Sequence, residues 1–219
     1  MRLVEVVNLR APIRRKAPTG TSPEVFIIES LSLIDENLNR HEGEVLADVL
    51  RMCGKKPKYF YIRTKSELEM VAEEFSSSRY RYLHLSCHGG ETEIETTLDK
   101  ISYVEFSKIF ENRLLKRRLF ASACGTGNQM FAEIVGSRNP GMLSVAAPVG
   151  TIQFDHAVAF WSAFYVKAFS VNSKSMNTKE LAAILKPLAN LFGVPFHWST
   201  FLKDRSAWQH EQIDAQPFA

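Results

Sequence analysis

YRYLHLSCHGG, residues 80–90, joins an apolar run to a reactive residue and two glycines. RLFASACGTG, residues 118–127, repeats that construction. Short apolar runs bounded by glycines are expected as buried strands of a parallel sheet, with the glycines marking where the chain leaves it. Working outward, VFIIESL (25–31), KYFYI (58–62), MLSVAAP (142–148) and HWSTFL (197–202) read as further strands. Helical spacing separates them. Val45, Leu46, Val49, Leu50 and Cys53 share one face before Gly54, and Leu68, Val71, Ala72 and Phe75 share another. Tyr103–Phe110, a segment from about Asn128 to Val135, the aromatic stretch Ala157–Phe169, and Leu181, Ile184, Leu185 and Leu188 after Thr178 complete the helical set. Repeated strand–helix alternation implies parallel strands joined by crossover helices. The expected fold is a three-layer α/β domain, with a mostly parallel central sheet of about six strands flanked by helices.

Residues 1–23 read as an N-terminal strand and linker, with Leu3–Leu9 as a stray edge strand before the Pro-rich APIRRKAPTGTSP. The domain occupies 24–205, and 206–219 read as a frayed tail. Residues 91–100 read as a polar loop. Composition is that of an ordinary globular protein, 45% hydrophobic and 23% charged. Twenty-seven basic against twenty-four acidic residues leave +3, too little to argue for nucleic acid. No window approaches the roughly 18 apolar residues of a membrane span, and the N-terminus lacks a secretory apolar region. Three cysteines, Cys53, Cys87 and Cys124, make a poor disulfide scaffold and fit a reducing, cytoplasmic interior.

Ligands of open parallel sheets bind beyond the carboxyl ends of the strands, which is where His88 and Cys124 fall. An imidazole beside a thiol promotes thiolate formation and can later protonate a leaving amine. Gly89 and Gly90 let backbone N–H groups approach a developing oxyanion, and a helix following Cys124 would favour its thiolate. Cys87, on the opposite strand face, reads as core, and His84, between Leu83 and Leu85, as a buried, hydrogen-bonded histidine. Trp161, Phe164 and Phe169 read as core. Gly125-Thr126-Gly127 lacks the Lys-Ser/Thr of a phosphate loop.

LHLSCHGG followed by LFASACGTG resembles the caspase-like cysteine peptidases, most closely the CHAT proteins of prokaryotes. Ser122-Ala123-Cys124-Gly125 matches the caspase signature in part: serine replaces glutamine at its first position, and its closing glycine comes one residue late, at Gly127 after Thr126. The 36 residues from His88 to Cys124 are fewer than the roughly 50 of caspases and suit the CHAT pattern. MLSVAAPVGTIQFDHAVAFWSAFY and PFHWSTFL resemble that family's later strands and aromatic helix. The resemblance implies a clan CD cysteine endopeptidase with Cys124 as nucleophile and His88 as general base and acid. Gly89 and Cys124 N–H groups would form the oxyanion hole. It assigns no third, acidic member, and it implies no cofactor and no metal. It places the 149–155 loop at the pocket for the substrate residue preceding the scissile bond. Asp155, with Glu91 and Glu93, would then select a basic side chain. The expected partners are a protein substrate and a separate protein regulator, in a prokaryotic defence or cell-death setting, with the chain itself monomeric. The alternative reading is a catalytically inactive caspase-like interaction module.

Overall fold

The computed structural model describes residues 20–204 and 206–215, so the expected strand at Leu3–Leu9 and most of the linker lie outside the described residues. The chain runs β1 (Ser22–Glu29), α1 (Leu33–Asn37), α2 (Glu42–Met52), β2 (Lys58–Tyr61), α3 (Lys65–Ser77) and β3 (Tyr80–Ser86). It continues through β4 (His88–Gly89), β5 (Glu93–Glu95), β6 (Lys100–Ser102), α4 (Tyr103–Ile109), β7 (Arg118–Ser122) and α5 (Gln129–Ser137). Last come β8 (Ser144–Pro148), α6 (Phe154–Val171), α7 (Thr178–Phe192), β9 (Phe196–Leu202) and β10 (Ala207–Ile213). Among the described residues, seven strands form one sheet in the order β10-β9-β8-β7-β3-β1-β2. The strands carrying the two motifs, β3 and β7, are parallel neighbours near its centre.

Side chains alternate across this sheet, and the alternation sorts the core into two layers. Val25, Ile27, Tyr82 and Phe120 face α2, α6 and α7; Phe26, Ile28, Leu83, Leu85, Leu119 and Ala121 face α3, α4 and α5. Phe160, Trp161, Phe164, Tyr165 and Phe169 of α6 are all buried in the first layer. They act as core, each contributing roughly 1.5–3 kcal/mol by leaving water. Helix starts are written locally. Thr64 and Ser102 each accept from the backbone N–H three residues on, and Glu67 and Glu105 return the bond to the cap's own N–H. Gly193 closes α7 at a left-handed φ of 64°.

Three elements depart from the sequence reading. Residues 93–102 form an antiparallel hairpin in a separate three-stranded sheet with β4, which turns Ile94 and Ile101 into the core. Beyond β8 the chain descends through α6 and climbs back through α7, so β9 enters antiparallel to β8. The supposed tail is β10, paired antiparallel with β9 along its full length. β9 is therefore an inner strand, and β10 is held by Trp208, whose indole lies over Gly136 of α5. No helix among the described residues is long and apolar enough to cross a membrane.

Candidate active site

Strand register decides where the two reactive residues stand. Ser86 of β3 pairs with Ser122 of β7; His88 and Cys124 each follow two residues later, so both emerge at the same edge and on the same face. That face is the one of α2 and α6: Cys124 packs against their apolar layer, while Cys87 and Ala123 fall in the other. Cys87 is buried core, as expected, and burial pushes its thiol well above the ordinary value. His84 is fully buried, with Nδ1 3.2 Å from the Tyr165 hydroxyl.

The motif loops interlock. A Cβ on Gly89 would sit 3.0 Å from Thr126 Cγ2 and 3.1 Å from the Cys124 carbonyl oxygen, so the loop after β7 lies directly on β4. Asn128 Nδ2 donates to the Gly125 carbonyl at 2.9 Å and to the Tyr103 hydroxyl at 3.2 Å, and Tyr103 in turn donates to the Gly90 carbonyl at 2.5 Å. Gly127 N–H donates to the Pro148 carbonyl at 2.8 Å, and Gly125 N–H to the Gly150 carbonyl at 3.2 Å. The Cys124 N–H meets no backbone acceptor among the described residues and stays available to a ligand oxygen. Asn128 itself caps α5. Four residues thus separate Cys124 from the helix, and the dipole, which fades within the first turn, does little for the thiol.

Gly127 fixes this arrangement most tightly. A Cβ there would meet the Ala147 carbonyl at 2.4 Å and Pro148 backbone at 2.5 Å. Gly127→Ala is expected to cost roughly 1–3 kcal/mol. It should lower the melting temperature by about 2–10 °C, as differential scanning calorimetry would show.

The sequence assigned His88 no acidic partner, but the structure supplies one. Asp35, in the short helix after β1, places Oδ2 2.7 Å from His88 Nε2. The same carboxylate accepts from Ser32 Oγ at 2.5 Å and Arg40 Nη1 at 2.9 Å. Burial alone would raise the Asp35 pKa, but the bonds from Ser32, His88 and Arg40 outweigh it and hold the group below its usual value. The only sequence signal was SLID, a serine three residues before an aspartate at a helix start, which reads equally as an ordinary cap.

The 149–155 loop closes the other side. The Ile152 carbonyl lies 3.8 Å from Cys124 Sγ, and the Phe154 ring stands edge-on to His88 at 5.7 Å. Beside it opens a cavity of about 460 Å³, lined by Arg40, Glu42, Val45, Phe154, Asp155 and Val158 among others. Asp155 is thus brought to the site. Glu91 and Glu93 are not among the cavity's residues: Glu93 pairs with Lys100 at 2.8 Å on the β5–β6 hairpin, and Glu91 lies exposed before it. A larger hollow of about 940 Å³ lies by Lys179 and Trp208, lined by residues that include no cysteine or histidine.

No protein-family model matches the sequence, and no curated protein does. Solved structures do. The secreted C11 cysteine protease iotapain of Bacteroides thetaiotaomicron has a TM-score of 0.51 at 10% identity, covering 84% of this chain and 67% of that one. The structure described as pro-sf-caspase-1 has a TM-score of 0.50 at 14% identity, covering 94% and 92%. Caspase-1 from Spodoptera frugiperda has a TM-score of 0.48 at 16% identity, covering 94% and 91%. At such identities the first two likenesses speak for the fold, and the fold is caspase-like.

Proposed function

We propose that the protein is a cysteine endopeptidase whose nucleophile is Cys124 and whose general base and acid is His88. The observation that carries the reading is the β3–β7 register, Ser86 opposite Ser122, with His88 and Cys124 each two residues beyond at the carboxyl edge of a caspase-like sheet. His88 takes the thiol proton as Sγ attacks the scissile carbonyl carbon, and the carbonyl oxygen, now anionic, is received by the Cys124 N–H with Gly89 N–H as second donor. The C–N bond breaks as His88 returns the proton to the departing amine. Water then attacks the thioester carbon and gives its proton to His88, which passes it to the sulfur as the acid leaves. Asp35 holds the imidazole by Nε2 and steadies its positive form. The sequence resemblance to the CHAT proteins supports a protein substrate in a regulated prokaryotic defence or cell-death pathway.

The test is incubation with a denatured proteome digest, reading new peptide ends by mass spectrometry. Wild type should generate a consistent set of ends that His88→Ala does not. An identical pattern from both proteins, or none from wild type, would remove the reading.

A further inference from the structure

The parallel ladder between β3 and β7 ends at the pair Ser86 and Ser122. Beyond it the chains separate, one into the β4–β6 sheet and the other into the loop that leads to α5, so no bond of that ladder reaches His88 or Cys124. A side chain joins the strands at the last pair. Glu42, in the first turn of α2, is 4% exposed, and its Oε2 accepts from Ser86 Oγ at 3.1 Å and from Ser122 Oγ at 2.9 Å. One carboxylate oxygen therefore spans both motif strands, two residues before each reactive group.

The tie is itself anchored. On its other side Ser86 stands opposite Glu29 of β1. Glu29 Oε1 accepts from the Gly43 N–H at 2.6 Å, and its Oε2 from the Tyr59 hydroxyl at 2.6 Å. A Cβ on Gly43 would meet Glu29 Cβ at 3.1 Å, so the start of α2 lies directly on the end of β1. Glu42 is thereby fixed from one strand while it holds the next two. Its other oxygen, Oε1, is enclosed without a hydrogen-bond partner, 3.7 Å from His84 Nε2, which also has none. A buried carboxylate with an idle oxygen is a poor way to stabilise a fold, since well-packed apolar groups often serve as well or better. What two directed hydrogen bonds add is a set distance between the groups they join.

We infer that Glu42 is a positioning residue of the peptidase: through Ser86 and Ser122 it sets the spacing of the two segments that present His88 and Cys124. The inference rests on the peptidase reading and adds to it a residue that never touches substrate. A displacement of about 1 Å between reacting groups can cost on the order of 10²-fold in rate. Releasing the tie should therefore lower kcat and leave KM nearly alone, because the loss falls on the chemical step rather than on substrate binding.

The test is steady-state kinetics of the full chain on a peptide taken from the cleavage sites of the proteome digest, well below each variant's melting temperature. Ser86→Ala combined with Ser122→Ala removes both donors and should lower kcat on the order of 10–10²-fold, with KM within about threefold of wild type. Glu42→Gln keeps an oxygen for the two hydroxyls and should hold kcat within about threefold of wild type. Glu42→Leu keeps none and should be as slow as the double serine variant. Adding the serine changes to Glu42→Leu should slow it no further, because the three groups act as one unit. A merely structural role would lower the melting temperature, leave kcat of the folded enzyme unchanged, and show no rescue by glutamine. If Glu42→Leu does not fold, the serine pair and Glu42→Gln decide. An unchanged kcat in the double serine variant, or a Glu42→Gln as slow as that variant, overturns the positioning role while leaving the peptidase standing. A wild type that cleaves no peptide overturns both.

Discussion

Cys124→Ala is expected to lower kcat/KM for any cleaved peptide by on the order of 10⁴-fold or more, the scale seen when a nucleophile acting in a coupled set is removed. Alanine keeps the Cys124 N–H, so part of the oxyanion site survives, but no atom remains to form the thioester. The fold should hardly notice. Cys124 is only half-buried at the margin of the α2–α6 layer, so truncating one sulfur leaves strand pairing and the Gly127 anchor intact. The variant should therefore bind substrate without cutting it, and a pull-down with the inactive protein should retain uncleaved partner. Progress curves of a fluorogenic peptide give the rate, and a thermal melt within a few degrees of wild type shows that the loss is chemical.

Asp35→Asn is expected to lower kcat on the order of 10²–10⁴-fold with little change in KM, the range found where an aspartate orients a catalytic histidine. Asp35 is a positioning residue. It touches His88 at Nε2, and its own position is fixed by Ser32 and Arg40. An amide offers one acceptor where the carboxylate offers two, and it cannot steady an imidazolium. Asp35→Glu should recover part of the rate, which a purely structural role would not allow. The stability consequence has a definite sign. The folded-state value of Asp35 is lowered, so its contribution is fully present above the ordinary aspartate value. It is lost as pH falls through the folded value. The difference in melting temperature between wild type and Asp35→Asn should accordingly shrink towards acid pH.

Local patterns wrote much of this architecture into the sequence. The apolar runs at 25–31, 80–87 and 118–124 became central strands because a strand covered on both faces must be apolar throughout. Equal spacing from strand end to reactive residue brought His88 and Cys124 to one edge. Long-range choices were less legible. Glu93-Ile94-Glu95 and Lys100-Ile101-Ser102 do alternate, but three-residue strands barely exceed a polar loop in signal. AWQHEQI alternates too, yet its partner β9 was itself legible only as an end. Asp35 was invisible as a partner of His88 because it looks like an acidic residue at a helix start, which the helix dipole explains without any site. Only the return of the β1–α2 connection across the sheet edge sets Asp35 beside His88.

The three cysteines allow the central claim to be measured within one molecule. Cys53 is exposed and remote from His88 in the fold, Cys87 is buried, and Cys124 lies between in exposure. Iodoacetamide at neutral pH, followed peptide by peptide by mass spectrometry, gives three alkylation rates from one sample. If His88 activates Cys124, the half-buried Cys124 reacts faster than fully exposed Cys53, Cys87 stays unmodified, and His88→Ala returns Cys124 to a rate below that of Cys53. A Cys124 that reacts more slowly than Cys53 in wild type, at a rate His88→Ala does not change, would contradict the account.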